Sequence, residues 1–96
     1  MNGDPKVVIT GMGAITPLGN DVETFWSNLV AGKSGVTQIT RFDATNYTTR
    51  IAAEVKDFDP TLWMERKEAK RNDRFVQLAI GAARQAVEAA RLDVPN

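Results

Sequence analysis

The segment from about Asp73 to Arg91 constrains the fold more than any other part of the chain. It predicts one long helix in which apolar residues, alanines and Gly81 cover most of the circumference. The polar residues Gln77, Arg84, Glu88 and Arg91 form a single narrow stripe. A helix that is apolar almost all round is a buried helix. The rest of the chain predicts only one amphipathic helix and two short strands, so we expect the residues that cover this helix to lie outside the sequence.

The beginning of the chain predicts a strand, a turn and a helix. The apolar run that opens with Val7, Val8 and Ile9 predicts a buried strand over residues 7–13. Proline and glycine in residues 16–19 predict a turn. Residues 21–31 predict a helix, with Asn20 as its N-cap in a capping-box spacing and Gly32 just after its end. Its apolar stripe is Val22, Phe25, Trp26, Leu29 and Val30, and we expect Trp26 in the core.

The middle of the chain is less regular. Residues 34–49 predict a loop rich in Thr, Asn, Asp and Gly, and residues 51–55 predict an edge strand. Asp59 followed by Pro60 predicts a cap and the first residue of a short helical turn. That turn carries Trp63 and Met64, which we expect in the core or in a covered interface.

Three motifs suggest other chemistry but are explained better by local structure. Residues 11–13 read Gly-Met-Gly after a strand, but Thr16 stands where a dinucleotide-binding fingerprint needs its third glycine. Residues 32–35 contain a Gly-Lys-Ser triplet, but it follows a helix, whereas a phosphate-binding loop precedes one. Asp57 and Asp59 lie beside a helix start, where capping accounts for them.

Composition excludes several function classes. The 96 residues contain no Cys and no His, which removes disulfides, thiol catalysis and the commonest general base and metal ligand. Twelve basic residues balance twelve acidic ones, so no overall field attracts nucleic acid or anionic lipid. No apolar run approaches the roughly 20 residues of a membrane span, and residues 1–6 do not open a signal peptide. We therefore expect a cytoplasmic protein without metal or cofactor.

The one candidate functional cluster is basic and comprises Arg66, Lys67, Lys70 and Arg71. Lys67, Lys70 and Arg71 recur at i, i+3 and i+4, so they share one face of a helix. Composition alone favours a solvated face, partly neutralised by nearby glutamates. Docking of an acidic partner is the alternative.

The ordered set of segments resembles the β-ketoacyl-acyl-carrier-protein synthases, most closely the type II enzymes of bacterial fatty-acid synthesis. No single motif carries the resemblance, which runs from about residue 7 to residue 93. The segments are VVITGMGAITPLGN at 7–20, the helix and loop at 21–35, RFD at 41–43, RIAAEVKDF at 50–58, and RKE and DRF at 66–68 and 73–75.

The resemblance implies a thiolase-like layered α/β sandwich, with residues 1–96 as the incomplete N-terminal part of its condensing-enzyme domain. It implies acyl elongation by decarboxylative Claisen condensation with a malonyl group on acyl carrier protein. In the family a Cys nucleophile and two His residues carry the chemistry. All of them lie later in the family's sequences, so no catalytic residue maps onto this chain, and we expect the chain alone to be inactive.

One family site does map onto the chain. By position, the basic patch that receives the acidic acyl carrier protein matches Lys67, Lys70 and Arg71. Lys70 stands where Arg is common and Arg71 where Lys is common, so charge is kept while hydrogen-bond geometry changes. The resemblance also implies a homodimer for the full-length parent. Two alternatives remain: a catalytically inactive paralogue, such as a chain-length factor or polyketide-type subunit, and a stand-alone carrier-docking module.

Overall fold

The computed structural model describes residues 3–94, so Met1, Asn2, Pro95 and Asn96 of the predicted domain 1–96 lie outside the described residues. The elements in chain order are helix α1 (Val22–Val30), strands β1 (Val36–Gln38) and β2 (Ile51–Ala53), a 3₁₀ helix (Pro60–Leu62), helix α2 (Arg66–Arg71) and helix α3 (Arg74–Ala90). The predicted helices 21–31 and 73–91 are confirmed to within a residue at each end.

Both ends of α1 are closed by local hydrogen bonds. The Thr24 amide donates to Asp21 Oδ1 at 2.7 Å, so Asp21 is the N-cap and the prediction of Asn20 is wrong by one residue. The side chain of Asn20 is used elsewhere, since its Nδ2 donates to the Lys56 carbonyl oxygen. Gly32, at φ +75°, follows the helix in the left-handed conformation that glycine adopts without a Cβ clash, which confirms the predicted ending.

The two strands form a small antiparallel sheet. Val36 pairs with Ala53 and Gln38 with Ile51. The predicted strand at 51–55 is therefore confirmed in part, while β1 lies inside the segment predicted as loop. Its three residues are too few to show an alternating pattern, and all three are exposed, so burial left no signal in the sequence.

The N-terminal segment forms no strand within the described residues, which corrects the prediction of a buried strand at 7–13. Val7 and Ile9 are 94% and 84% exposed. A strand of a parallel sheet exists only when neighbours satisfy its amides and carbonyls, and residues 3–94 supply no such neighbour here. The apolar composition is that of a buried strand, but the burial is missing.

Segment 11–20 packs instead along α3. A Cβ atom added to Gly13 would collide with the carbonyl oxygen of Ala82, and one added to Gly11 would lie 2.5 Å from the Ala90 amide nitrogen. Two residues of extended chain advance about 6.6 Å and four residues of helix advance about 6 Å. The two glycines therefore step along α3 in register with the Ala82–Ala86–Ala90 ridge, so local packing accounts for the Gly-Met-Gly motif.

Gln85 of α3 fastens the same segment by two hydrogen bonds. The Ala14 amide donates to Gln85 Oε1 at 3.0 Å, and Gln85 Nε2 donates to the Asn20 carbonyl oxygen at 2.6 Å. The side-chain amide thus supplies both an acceptor and a donor to backbone groups 71 and 65 residues away in sequence.

The small core lies where α3 meets the 3₁₀ helix. Gly81 is buried there, and a Cβ added to it would lie 3.2 Å from both Phe58 and Trp63. Met64 is buried, which confirms its prediction as core, while Trp63, predicted in the core or in a covered interface, is half-buried. Trp26 is 61% exposed, so its prediction as core is wrong for the described residues.

Helix α3 is far less covered than its composition predicts. Gly81 is its only buried residue among those described, and Phe75 is 71% exposed. The chain exposes 7995 Å², whereas a folded monomer of its mass exposes about 5,400 Å². Its radius of gyration is 17.3 Å, against about 12.5 Å for a compact domain of this length. The prediction of an apolar helix without sufficient cover agrees with these dimensions.

We expect the 96 residues on their own to be molten or aggregated, because the apolar faces of α1, α3 and the N-terminal segment remain in water. Near-ultraviolet circular dichroism, binding of a hydrophobic dye and amide dispersion would measure this state. A sharp two-state thermal transition from a monomer with dispersed amide signals would contradict the prediction.

Candidate functional site

Helix α2 places the three predicted site residues on one exposed face. At 100° per residue, Lys67, Lys70 and Arg71 lie within an arc of about 100°, and all three are exposed. Ala69 lies on the opposite side and is buried, with 7% of its surface exposed. The short helix therefore turns its one small apolar residue inward and its cations outward.

The C-terminal end of α2 is held by side-chain amides. Gln77 Nε2 donates to the carbonyl oxygen of Ala69 at 2.7 Å and to that of Asn72 at 3.3 Å. Asn72 Nδ2 donates to the Glu68 carbonyl oxygen at 2.9 Å. These bonds supply donors to carbonyl groups at a helix end, where intrahelical donors run out; the Ala69 carbonyl oxygen also accepts from the Asn72 amide at 3.4 Å.

Three of the charges of α2 agree with the direction of the helix dipole, while Arg66 and Lys67 in its first turn do not. Glu68 lies in its first turn, and Lys70 and Arg71 lie in its last turn. Acidic groups are stabilised near a helix N-terminus and basic groups near its C-terminus. Lys70 and Arg71 are thus favourably placed at the end of α2 that is tied to α3, whereas Arg66 and Lys67 lie at the opposite end.

The 3₁₀ helix that precedes α2 has Asp59 as its N-cap. The Thr61 amide donates to Asp59 Oδ1 at 3.0 Å and the Thr61 hydroxyl donates to the same atom at 2.6 Å, which confirms the predicted cap. These bonds, the hydroxyl first, hold the pKa of Asp59 below its usual value, with a smaller contribution from Arg66. A lowered pKa means that the cap contributes fully above the ordinary pKa of Asp and is lost as the pH falls through the lowered value.

The described residues offer little other chemistry. No group of three or more acidic, His or Cys side chains in residues 3–94 is placed to hold a metal ion. Nor is any helix in this range long and apolar enough to cross a membrane. The Gly-Lys-Ser triplet forms the turn after α1, as predicted, with the Lys33 amide donating back to Asn28.

Sequence reasoning missed an open groove between α1, the loop at 57–63 and α3. It has a volume of about 730 Å³ and is lined by carboxylates together with apolar side chains. The carboxylates belong to Asp21, Glu23, Asp57, Asp59 and Glu88. The sequence scatters these carboxylates over 68 positions (21 to 88), so no local pattern could have grouped them. The groove does not include the three basic residues of α2.

Sequence reasoning also missed the role of Gln77. Its only signal was a polar residue near the start of an otherwise apolar helix. The stripe that it shares with Arg84 and Glu88 suggests a solvent-facing position, yet the Gln77 side chain is half-buried against the end of α2.

Comparison of structures defines the class of fold. The chain superposes on the structure described as "The ishigamide ketosynthase/chain length factor" with a TM-score of 0.82 and 41% sequence identity, covering 90% of this chain and 21% of that one. The predicted fold class is confirmed: the chain is a portion of the thiolase-like α/β fold of ketosynthases.

Sequence comparison gives the family. Residues 4–96 match the family model "Beta-ketoacyl synthase, N-terminal domain", and the chain belongs to this family. It is 54% identical over 89 residues to 3-oxoacyl-(acyl-carrier-protein) synthase 2 of Coxiella burnetii, covering 93% of this chain and 22% of the relative. The enzyme of the same name from Staphylococcus aureus is 49% identical over 94 residues, covering 98% and 23%. The chain therefore spans about a fifth of the length of the relatives that it matches.

Proposed function

We propose that the chain is the N-terminal part of a condensing enzyme that elongates acyl chains on acyl carrier protein. The proposal is supported by the comparison of sequences: the chain is 54% and 49% identical, over nearly its whole length, to relatives named 3-oxoacyl-(acyl-carrier-protein) synthase 2. The reaction is decarboxylative Claisen condensation with a malonyl group on its carrier, in fatty-acid synthesis. The enzyme works in the cytoplasm as a homodimer, as the family resemblance implies.

In this proposal the described residues serve binding, since the chain has neither the Cys nor the two His residues that carry the chemistry in the family. The nucleophile and the groups that stabilise the developing enolate come from residues beyond this chain. The N-terminal segment, α1 and α3 supply scaffold to the domain, and α2 receives the partner.

The partner is an acidic acyl carrier protein, and Lys67, Lys70 and Arg71 are its landing site. The observation that carries this assignment is the exposure of all three cations on one face of a helix whose other face is anchored by Ala69. Charges placed at the rim of an interface steer encounter and set register more than they add affinity. A fixed cationic face is therefore suited to delivering one carrier protein after another.

A second candidate is a subunit without condensing activity, such as a chain-length factor of a polyketide-type pathway. The observation that favours it is the likeness to a structure described as a ketosynthase/chain length factor. Both candidates share the fold and the basic helix, so the described residues serve each equally. The residue aligned with the family's catalytic Cys distinguishes them: a condensing enzyme has Cys there and a chain-length factor does not.

The isolated 96 residues should catalyse neither condensation nor malonyl decarboxylation, because no nucleophile of the required kind is present. Release of carbon dioxide from malonyl carrier protein by the purified chain measures this directly. Turnover above that of a boiled sample would refute the proposal that the catalytic groups lie outside this chain.

Reversal of Lys67, Lys70 and Arg71 to Glu in the full-length parent should raise the apparent KM for acyl carrier protein. A small thioester mimic, which carries no acidic surface, should be turned over much as before. The defect should shrink with added salt, because the screening length falls to about 3 Å near 1 M. Each single reversal should cost roughly 0.5–1 kcal/mol, as exposed ion pairs do.

Reversal of Lys6, Lys33 and Arg50, three exposed cations outside α2, gives a control with the same change of net charge. It should leave the KM for acyl carrier protein close to that of the parent. If both triple variants raise this KM equally, net charge rather than α2 governs encounter. If the α2 variant has no effect at low salt, the basic face is merely solvated.

A further inference from the structure

Helix α2 is too short to fix its own orientation. It has six residues, whereas isolated helices shorter than about 12–15 residues are marginal in water. Ala69 is its only buried residue among those described, and its N-cap Glu65 makes no side-chain capping bond. The direction in which its cations point must therefore be set by contacts to neighbouring elements.

Two neighbours set it: α2 packs against the 3₁₀ helix, and the first turn of α3 supplies side-chain hydrogen bonds to its C-terminal end. Gln77 Nε2 carries two N–H groups, and the geometry directs them to the carbonyl oxygens of Ala69 and Asn72. One carbonyl belongs to the last turn of α2 and the other to the residue that follows it. A single nitrogen thus joins the end of the short helix, and the connection after it, to the long helix.

We infer that Gln77 is a positioning residue for carrier docking: it holds α2 so that Lys67, Lys70 and Arg71 face the incoming acidic protein together. The inference rests on the proposed function. Gln77 touches neither the carrier nor the reacting atoms in this scheme. Without its two bonds the end of α2 frays, and the cations of the last turn, Lys70 and Arg71, lose their fixed spacing from Lys67.

The test uses Gln77→Met in the full-length enzyme, which keeps side-chain length but removes both donors. The KM for acyl carrier protein should rise about threefold to tenfold, the range expected from loss of one net hydrogen bond or two weak ones. The kcat with saturating carrier and the KM for a small thioester should stay close to those of the parent, because Gln77 touches neither the reacting atoms nor the small substrate in this scheme. Amide hydrogen exchange at residues 69–72 should become faster.

Asn28→Leu is the matched control. It removes a side-chain amide bond of the same kind, from Asn28 Nδ2 to the Leu18 carbonyl oxygen, at α1 and away from α2. This variant should leave the KM for acyl carrier protein and exchange at residues 69–72 unchanged. If Gln77→Met does not fold, Gln77→Asn replaces it, because the amide is then one carbon too short to reach both carbonyl oxygens.

The outcomes separate this inference from the proposed function. Carrier KM that rises together with exchange at residues 69–72, for the Gln77 variant alone, supports the inference. Unchanged exchange, faster exchange without a change in carrier KM, or an equal loss with the small thioester overturns it while carrier docking at α2 stands. If the triple reversal of α2 also leaves carrier KM unchanged, the docking proposal fails, and the positioning role fails with it.

Discussion

The attachment of the N-terminal segment to α3 is the interaction on which the rest of the structure depends. Gln85 binds the backbone at both ends of the segment that runs from Ala14 to Asn20. The turn inside this segment holds α1, through the bond from Asn28 to the Leu18 carbonyl oxygen. The chain has few buried side chains. The Gln85 side chain therefore holds distant segments together, as a hydrophobic core does in larger domains.

The same division of labour recurs at the other end of α3. There Gln77 joins α2 to the long helix, as Gln85 joins the N-terminal segment, and Gly81 between them admits Phe58 and Trp63. The three positions lie four residues apart, so they fall on neighbouring turns of one helix face. This row of α3 therefore carries three of the contacts that organise the chain, and the neighbouring Ala82–Ala86–Ala90 ridge carries Gly11 and Gly13, while Phe75 stays exposed.

Elements with local signals could be predicted from the sequence, and elements that depend on distant partners could not. The stripe of α1, the cap at Asp59 and the length of α3 follow from periodicity and turn chemistry within a few residues. The prediction of a strand at 7–13 was wrong because a strand there needs pairing neighbours that residues 3–94 do not contain. The prediction of Trp26 as a core residue was wrong for the same reason. An apolar stripe indicates which face of a helix is to be covered, but not whether a covering element is present.

In the candidate site, too, residues with a local sequence signal could be predicted and residues that depend on distant partners could not. The helical spacing of Lys67, Lys70 and Arg71 predicted a shared face, which α2 places in solvent, whereas their docking role was implied by the family resemblance alone. Gln77 was missed because its partners are main-chain carbonyl oxygens, which every residue carries and no sequence pattern marks. The acidic groove was missed because its carboxylates meet only after the chain has folded.

The exposed apolar run Val7–Ile9 has a consequence for the synthesis of the chain on the ribosome. Ribosomes add about 5–20 residues each second, so this segment is in solvent for several seconds before α3 has been synthesised. Until then Gly11 and Gly13 have no alanine ridge to pack against, and the unpaired apolar run is a template for pairing with other nascent chains. The N-terminal segment is therefore the part of the chain that a holdase chaperone has most reason to bind during synthesis. The arrival of α3 covers Gly11 and Gly13 but leaves Val7 and Ile9 exposed, so this reason outlasts the synthesis of α3.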